Sequence, residues 1–149
     1  MKRLLFTIVL ILVLTSCKNN NSIELKIIKK IKSCGTCKIN LNEVTDFTWD
    51  KVYIFYNATP IEEIEKAIGC KYDNYKEFSR PWIFIKNNTI IYYENNPLDI
   101  ENIKENEIIF YEEIDTLRYN IFYPSDLFIQ IHKKESGISY YVLKKINNK

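Results

Sequence analysis

The sequence has few of the residues that usually mark phosphate loops, metal sites or catalytic triads. It contains 3 glycines, 4 prolines, 4 cysteines and a single histidine in 149 residues. The sequence therefore contains very few of the residues needed for a glycine-rich phosphate loop, a histidine-based triad or a zinc site. The scarcity of glycine and proline also argues against a disordered or collagen-like chain. The composition favours a folded chain, and it indicates no metal and no cofactor.

An excess of charge of either sign is also missing. The chain carries 21 basic and 19 acidic residues, which leaves no electrostatic footprint for nucleic acid. The distribution is uneven, because several lysines crowd residues 26–38 and acidic residues dominate 94–115. These stretches are either solvated faces of one domain or a docking surface for lipid head groups or an acidic partner.

The first 17 residues are unlike the rest of the chain. Lys2 and Arg3 precede an unbroken apolar run, residues 4–14, that is too short to span a bilayer. Thr15 and Ser16 follow, and then Cys17. A charged start, a short apolar run and a zone of small residues are typical of an export signal that is later removed.

The end of this leader, Leu14-Thr15-Ser16-Cys17, resembles the lipobox of bacterial lipoprotein precursors. The resemblance implies that the Cys17 thiol receives a diacylglyceryl group and becomes the new N-terminus. Residues 1–16 are then a lipoprotein signal peptide, 17–22 a lipidated tether, and 23–149 a single α+β domain. Removing 16 of 149 residues leaves 133, which suits one domain with a real core.

The same resemblance predicts where the protein resides and what it touches. The membrane is a partner through the lipid anchor, and the location is the cell envelope, on the periplasmic or surface face. Residues 18–21 lack the aspartate that retains such proteins at the inner membrane in enteric bacteria, so the outer membrane is favoured.

Capping residues in the sequence predict two helices and the positions at which each begins and ends. Ser22 is expected to cap a helix that runs to about Lys32 and ends near Gly35. The alternation of apolar residues over 23–27 also fits a strand, which is the competing prediction. The second helix has Thr59 as its N-cap, Pro60 at its first position, Glu62 completing a capping box, and a stop at Gly69.

Strands are predicted over most of the remaining chain. Residues 49–56 are apolar on both faces and predict a central strand, and Asn87-Asn88 suits the tight turn of a hairpin. Asn96-Pro97 is expected to start a short helix to about residue 104. The other expected strands are 37–41, 82–85, 89–93, 108–111, 117–122, 127–132 and 138–145. The fold class is therefore α+β, a mainly antiparallel sheet with a C-terminal β-meander and two or three helices on one side.

Cys34 and Cys37 form a C-x-x-C pattern that permits a disulfide across a tight turn in an exported protein. Cys70 is a competing partner for either cysteine. The pattern, together with the stretch from Pro81, also resembles thioredoxin-like oxidoreductases, which implies a reactive Cys34 at a helix start and a cis bond before Pro81. Against that resemblance, the segment before Cys34 is rich in lysine rather than buried, and residues 37–41 alternate as a strand does.

Other polar residues give weaker signals. His132 is expected to face solvent rather than bind a metal, since it lies opposite the apolar side of its strand. Asp50 is either a residue at the entry of the central strand that faces water or caps a turn, or a partly buried functional carboxylate. In the second case it would need a partner such as Lys51, Arg80 or backbone amides.

Residues 47–55 read F-x-W-D-x-x-Y-I-F. They resemble a strand found in small exported bacterial proteins of uncharacterised function, and the likeness covers residues 37–93. It implies a shared fold and export and supplies no catalytic residue.

The function expected from the sequence is a lipid-anchored, non-catalytic binding or interaction module of the envelope, with an envelope protein as a further partner. The alternative is a membrane-anchored thioredoxin-like thiol–disulfide oxidoreductase that uses Cys34 and Cys37. An inhibitor or immunity-type protein would differ from the first only in its partner.

Overall fold

A computed structural model describes residues 22–97, 106–111 and 117–146. The leader and Cys17 lie outside the described residues. The helices are α1, Ile23–Cys34, and α2, Ile61–Ile68, with a 3-10 turn at Leu41–Glu43. The strands are β1 Ile39–Asn40, β2 Lys51–Phe55, β3 Ser79–Lys86, β4 Thr89–Pro97, β5 Ile108–Tyr111, β6 Tyr119–Phe122, β7 Leu127–Glu135 and β8 Ile138–Lys145.

The described strands form two sheets of four. One has the order β4-β3-β2-β6 with every pair antiparallel, and the other has the order β1-β7-β8-β5. The predicted α+β class, with mainly antiparallel pairing and a C-terminal β-meander, is confirmed. Within the C-terminal part, β6 joins β2 in the first sheet and β5 pairs with β8 in parallel.

The central position of β2 follows from its sequence. Val52 and Ile54 point into a core between the two sheets, whereas Tyr53 and Phe55 point into a second core on the opposite face. Because alternate residues of a strand face opposite ways, a strand apolar at every position must be covered on both sides.

The two helices lie on opposite faces of the β4-β3-β2-β6 sheet, which corrects the expectation of helices on one side. Ile23, Ile27 and Ile31 of α1 enter the core between the sheets, and Ile64 and Ile68 of α2 enter the second core. A sheet that is apolar on both faces needs cover on both.

The predicted ends of α1 and the predicted turn between β3 and β4 are confirmed. Ser22 caps α1 by accepting a hydrogen bond from the Leu25 amide, and Gly35 ends the helix with a φ of 70°. Asn87 and Asn88 have φ values of 49° and 59°, which is the backbone of a two-residue hairpin turn.

The predicted cap of α2 is wrong. Pro60 is the N-cap and makes no side-chain cap hydrogen bond. The buried Thr59 hydroxyl instead donates to the Tyr56 carbonyl at 2.8 Å, so the capping box with Glu62 does not form.

The helix expected from Asn96-Pro97 is wrong at its start, since both residues extend β4 opposite Arg80 and Ser79. Pro97 is tolerated there because β4 is an edge strand, where one missing amide leaves no ladder bond unmade. The remainder of that expected helix, to residue 104, lies outside the described residues.

Candidate functional site

Cys34 and Cys37 are joined by a disulfide, with their Cα atoms 5.6 Å apart. Cys34 is the last residue of α1, so the disulfide closes the turn around Gly35 at the C-terminus of that helix. Gln130 of β7 donates a hydrogen bond to the Gly35 carbonyl. Cys70 is a free, half-buried thiol against the second core, so the expected competing pairing does not occur.

The placement of this disulfide opposes the thioredoxin-like alternative. A reactive cysteine in that fold sits at a helix N-terminus, where amides and the helix dipole stabilise the thiolate. Cys34 sits at the opposite end, whose partial negative charge disfavours a thiolate. Among the described residues no peptide bond is cis, so the expected cis bond before Pro81 is also wrong.

His132 is exposed on β7, as expected, and its ring centroid lies 5.3 Å from that of Tyr141. Within the described ranges, no group of three or more histidine, cysteine, aspartate or glutamate side chains is placed to hold a metal ion.

Asp50 is exposed and accepts a hydrogen bond from the Asn87 amide at 2.8 Å. Its role is therefore to hold the hairpin turn between β3 and β4. Of the two roles open for Asp50, the turn cap is the one the structure supports, and Arg80 is not its partner.

Arg80 lies in a buried group of charges whose members come from distant parts of the chain. Its guanidinium forms ion pairs with Glu107 and, at 3.6 Å, with Glu24, and it donates to the Ile108 carbonyl at 3.0 Å. Glu94 lies close by, and its Oε1 accepts from the Ile23 amide. We call Arg80, Glu24, Glu94 and Glu107 the Arg80 cluster.

The Arg80 cluster holds three carboxylates and one guanidinium, and several polar atoms in and beside it have no hydrogen-bond partner. Among the described residues, Arg80 Nε, Glu94 Oε2 and the neighbouring Asn96 Nδ2 are buried and accept or donate no hydrogen bond. Burial raises the pKa of Glu24, an effect that the nearby Arg80 guanidinium opposes and that the Glu107 and Glu94 carboxylates strengthen.

The cluster fixes the first turn of α1 to the sheets. Glu94 of β4 bonds the amide of Ile23, and Glu24 accepts from the Ile108 amide of β5 at 3.3 Å. Residues distant in sequence are thus joined at the point where the chain from Cys17 enters the folded part.

We expect Glu24→Gln to change the pH dependence of stability. The pKa of Glu24 is higher in the folded protein than in the unfolded chain, where it is about 4.5. Between these two pKa values the folded protein binds more protons than the unfolded chain. The free energy of unfolding therefore falls as the pH rises from about 4.5 through the folded-state pKa. Removing the titrating group should make the free energy of unfolding less dependent on pH, so the stability of Glu24→Gln relative to the wild type should be higher at pH 7 than at pH 4.

Urea denaturation at the two pH values measures this difference, and Glu62→Gln on exposed α2 is the matched control. Equal effects of Glu24→Gln at both pH values would contradict the assignment.

A groove of about 590 Å³ opens beside this same end of α1. It follows the edge strand β4 and mixes exposed charges with aromatic rings. Its lining is Ser22, Ile23, Lys26, Asp46, Phe47, Lys76, Tyr92, Tyr93, Glu94, Asn95 and Asn96.

Ring stacking and hydrogen bonds hold the side chains at the floor of the groove in place. The Phe47 and Tyr92 rings stack with their centroids 5.0 Å apart, and Tyr92 donates its hydroxyl to Glu94 at 2.7 Å. Burial raises the pKa of Tyr72 to about 12, while its hydroxyl donates to Asn95. Sequence patterns missed this site, because its residues come from four separate segments.

A family model, the prokaryotic membrane lipoprotein lipid attachment site, matches residues 1–17. The match supports a lipid-anchored lipoprotein of the bacterial cell envelope, as the leader predicted. No curated protein and no solved structure gives a match. The likeness of residues 47–55 to other exported proteins therefore stays an expectation. In the part of the chain that the structure describes, no helix has the length and apolarity needed to cross a bilayer.

Proposed function

We propose that the mature protein is a non-catalytic binding module held at the envelope by acyl chains on Cys17. The observation that carries the proposal is the lipid attachment match over residues 1–17, which ends at this cysteine. Residues 1–16 are then removed, residues 17–22 are the tether, and residues 23–149 act as one domain. The outer membrane is the proposed destination, because residues 18–21 contain no aspartate.

The groove along β4 is the proposed binding surface. It combines aromatic rings with exposed charge, and its walls are set by strand pairing and by the Arg80 cluster. A site whose floor side chains are held in place suits binding without chemistry, since preformed contacts reduce the entropy lost on association.

The test is a cross-linking pull-down from the host envelope with the acylated protein. A variant that changes two exposed groove residues, Lys76→Glu with Tyr93→Ala, should lose the envelope protein that the wild type captures. Lys71→Glu with Tyr123→Ala makes the same changes outside the groove lining and should retain it. Identical captured sets for all three proteins would refute the groove as the binding surface.

A further inference from the structure

We infer that the outer face of α1 lies against anionic lipid head groups of the membrane that holds the anchor. This inference rests on the proposed acylation of Cys17 for its geometry. Leu25, Lys29 and Lys32 are spaced by four and three residues, which places them in one line along the helix. We call these three residues the outer line.

The outer line is available to a partner. The core-facing side of α1 is Ile23, Ile27 and Ile31. Leu25 is 40% exposed, and Lys29 and Lys32 are exposed as well. An apolar residue beside lysines is typical of a helix face that rests on a membrane surface.

No acidic side chain among the described residues neutralises the charge of the outer line. Lys26 pairs with Asp46 at 3.7 Å and Lys30 pairs with Glu43, so the flanking lysines already have acidic partners. Lys29 and Lys32 form no ion pair with any described residue, and α1's one acidic side chain, Glu24, is held by Arg80. A positive line is therefore left for an acidic surface.

The length of the tether brings the outer line to the bilayer. Five residue steps separate Cys17 from the cap Ser22, and a chain of that length spans at most about 18 Å. Because α1 begins at the next residue and is itself about 18 Å long, an anchored protein cannot carry the helix far from the head groups.

The Arg80 cluster strengthens this geometric limit. It fixes the first turn of α1 to β4 and β5, so unwinding of that turn cannot lengthen the tether without breaking buried ion pairs. The helix that carries Lys29 and Lys32 therefore stays within reach of the membrane surface.

The first experiment labels surface lysines of the acylated protein with a water-soluble acetylating reagent. The protein is placed in vesicles of phosphatidylcholine, or of phosphatidylcholine mixed with phosphatidylglycerol. Acetylation at Lys29 and Lys32 should fall several-fold in the anionic vesicles. Lys66 and Lys71, on and after α2 on the opposite face of the sheet, are internal controls and should not change.

The second experiment does not depend on acylation. The mature chain with Cys17→Ser should partition into the anionic vesicles and not the neutral ones, and Lys29→Gln with Lys32→Gln should weaken that partition about 25-fold, roughly fivefold per lysine. Lys66→Gln with Lys71→Gln should leave it unchanged.

Equal partition into both kinds of vesicle, or an equal loss in the two double variants, would overturn the inference. So would acetylation of Lys29 and Lys32 that ignores the lipid charge. An unmodified Cys17 in the host would refute the anchor alone, because the Cys17→Ser chain still tests the surface.

Discussion

Replacing Cys17 by serine is expected to move the protein from the membrane fraction to the soluble fraction almost completely when the membranes are washed at high salt, which screens electrostatic attachment through the lysines of α1. A serine hydroxyl cannot form the thioether that carries the diacylglyceryl group, so no acyl chain remains. Each buried methylene contributes about 0.8 kcal/mol, and two chains together hold a protein on a bilayer essentially permanently. Centrifugal fractionation of host cells, followed by detection of the protein, measures the change.

The matched control is Cys70→Ser, which removes a half-buried thiol in the folded part and leaves the lipobox intact. That variant should stay in the membrane fraction. Retention of the Cys17→Ser chain on membranes at high salt would contradict acyl anchoring, since weak electrostatic attachment is screened under those conditions.

Replacing Arg80 by leucine should destabilise the protein by about 3–5 kcal/mol. The substitution removes the guanidinium that pairs with Glu24 and Glu107, whose side chains are 18% and 7% exposed. Buried carboxylates without a cation bear the full cost of their lost hydration. The loss should be smaller at low pH, where the Glu24 carboxyl, whose pKa burial raises, accepts a proton. Urea denaturation at pH 7 and pH 4.5 measures both effects.

Arg118→Leu is the control, because Arg118 pairs with Glu63 at 3.8 Å and both side chains are more than half exposed. An exposed pair of this kind contributes less than about 1 kcal/mol. Should Arg80→Leu fail to fold, Arg80→Lys keeps one positive charge and is expected to fall between it and the wild type. Equal small losses for Arg80→Leu and Arg118→Leu would show that the cluster is not a buried ion-pair network.

The parts of the fold that were predictable from the sequence depend on contacts within a few residues. α1 begins after Ser22 because the first turn of a helix needs a nearby hydrogen-bond acceptor, and it ends at Gly35 because the last turn needs a residue that tolerates positive φ. Asn87 and Asn88 set the β3–β4 turn for the same backbone reason. The all-apolar run of β2 required an interior strand, which is its position.

The errors arose where distant partners decided the outcome. Thr59 is a good cap in isolation, but its buried hydroxyl lies within hydrogen-bond distance of the Arg118 carbonyl, 59 residues along the chain, as well as of the Tyr56 carbonyl. Asn96 and Pro97 are typical of a helix start, but pairing with β3 extends the edge strand through both. The parallel pairing of β5 with β8 depends on chain path, which no local pattern specifies.

The candidate site was the least predictable part. Glu24 and Ile108 are 84 residues apart in sequence and are hydrogen-bonded, and the acidic partners of Arg80 come from segments with no shared motif. The lysines of α1 were visible in the sequence as a basic stretch. The structure was needed to show that Lys26 and Lys30 form ion pairs, which distinguishes them from Lys29 and Lys32.

The central claim is that Cys17 carries the acyl chains that tether the folded part to the envelope. The most direct test is the intact mass of the protein extracted from membranes of its host. The expected mass is that of residues 17–149 with a diacylglyceryl group on Cys17. A mass equal to that of the full 149-residue chain, or a free thiol at Cys17, would contradict the account.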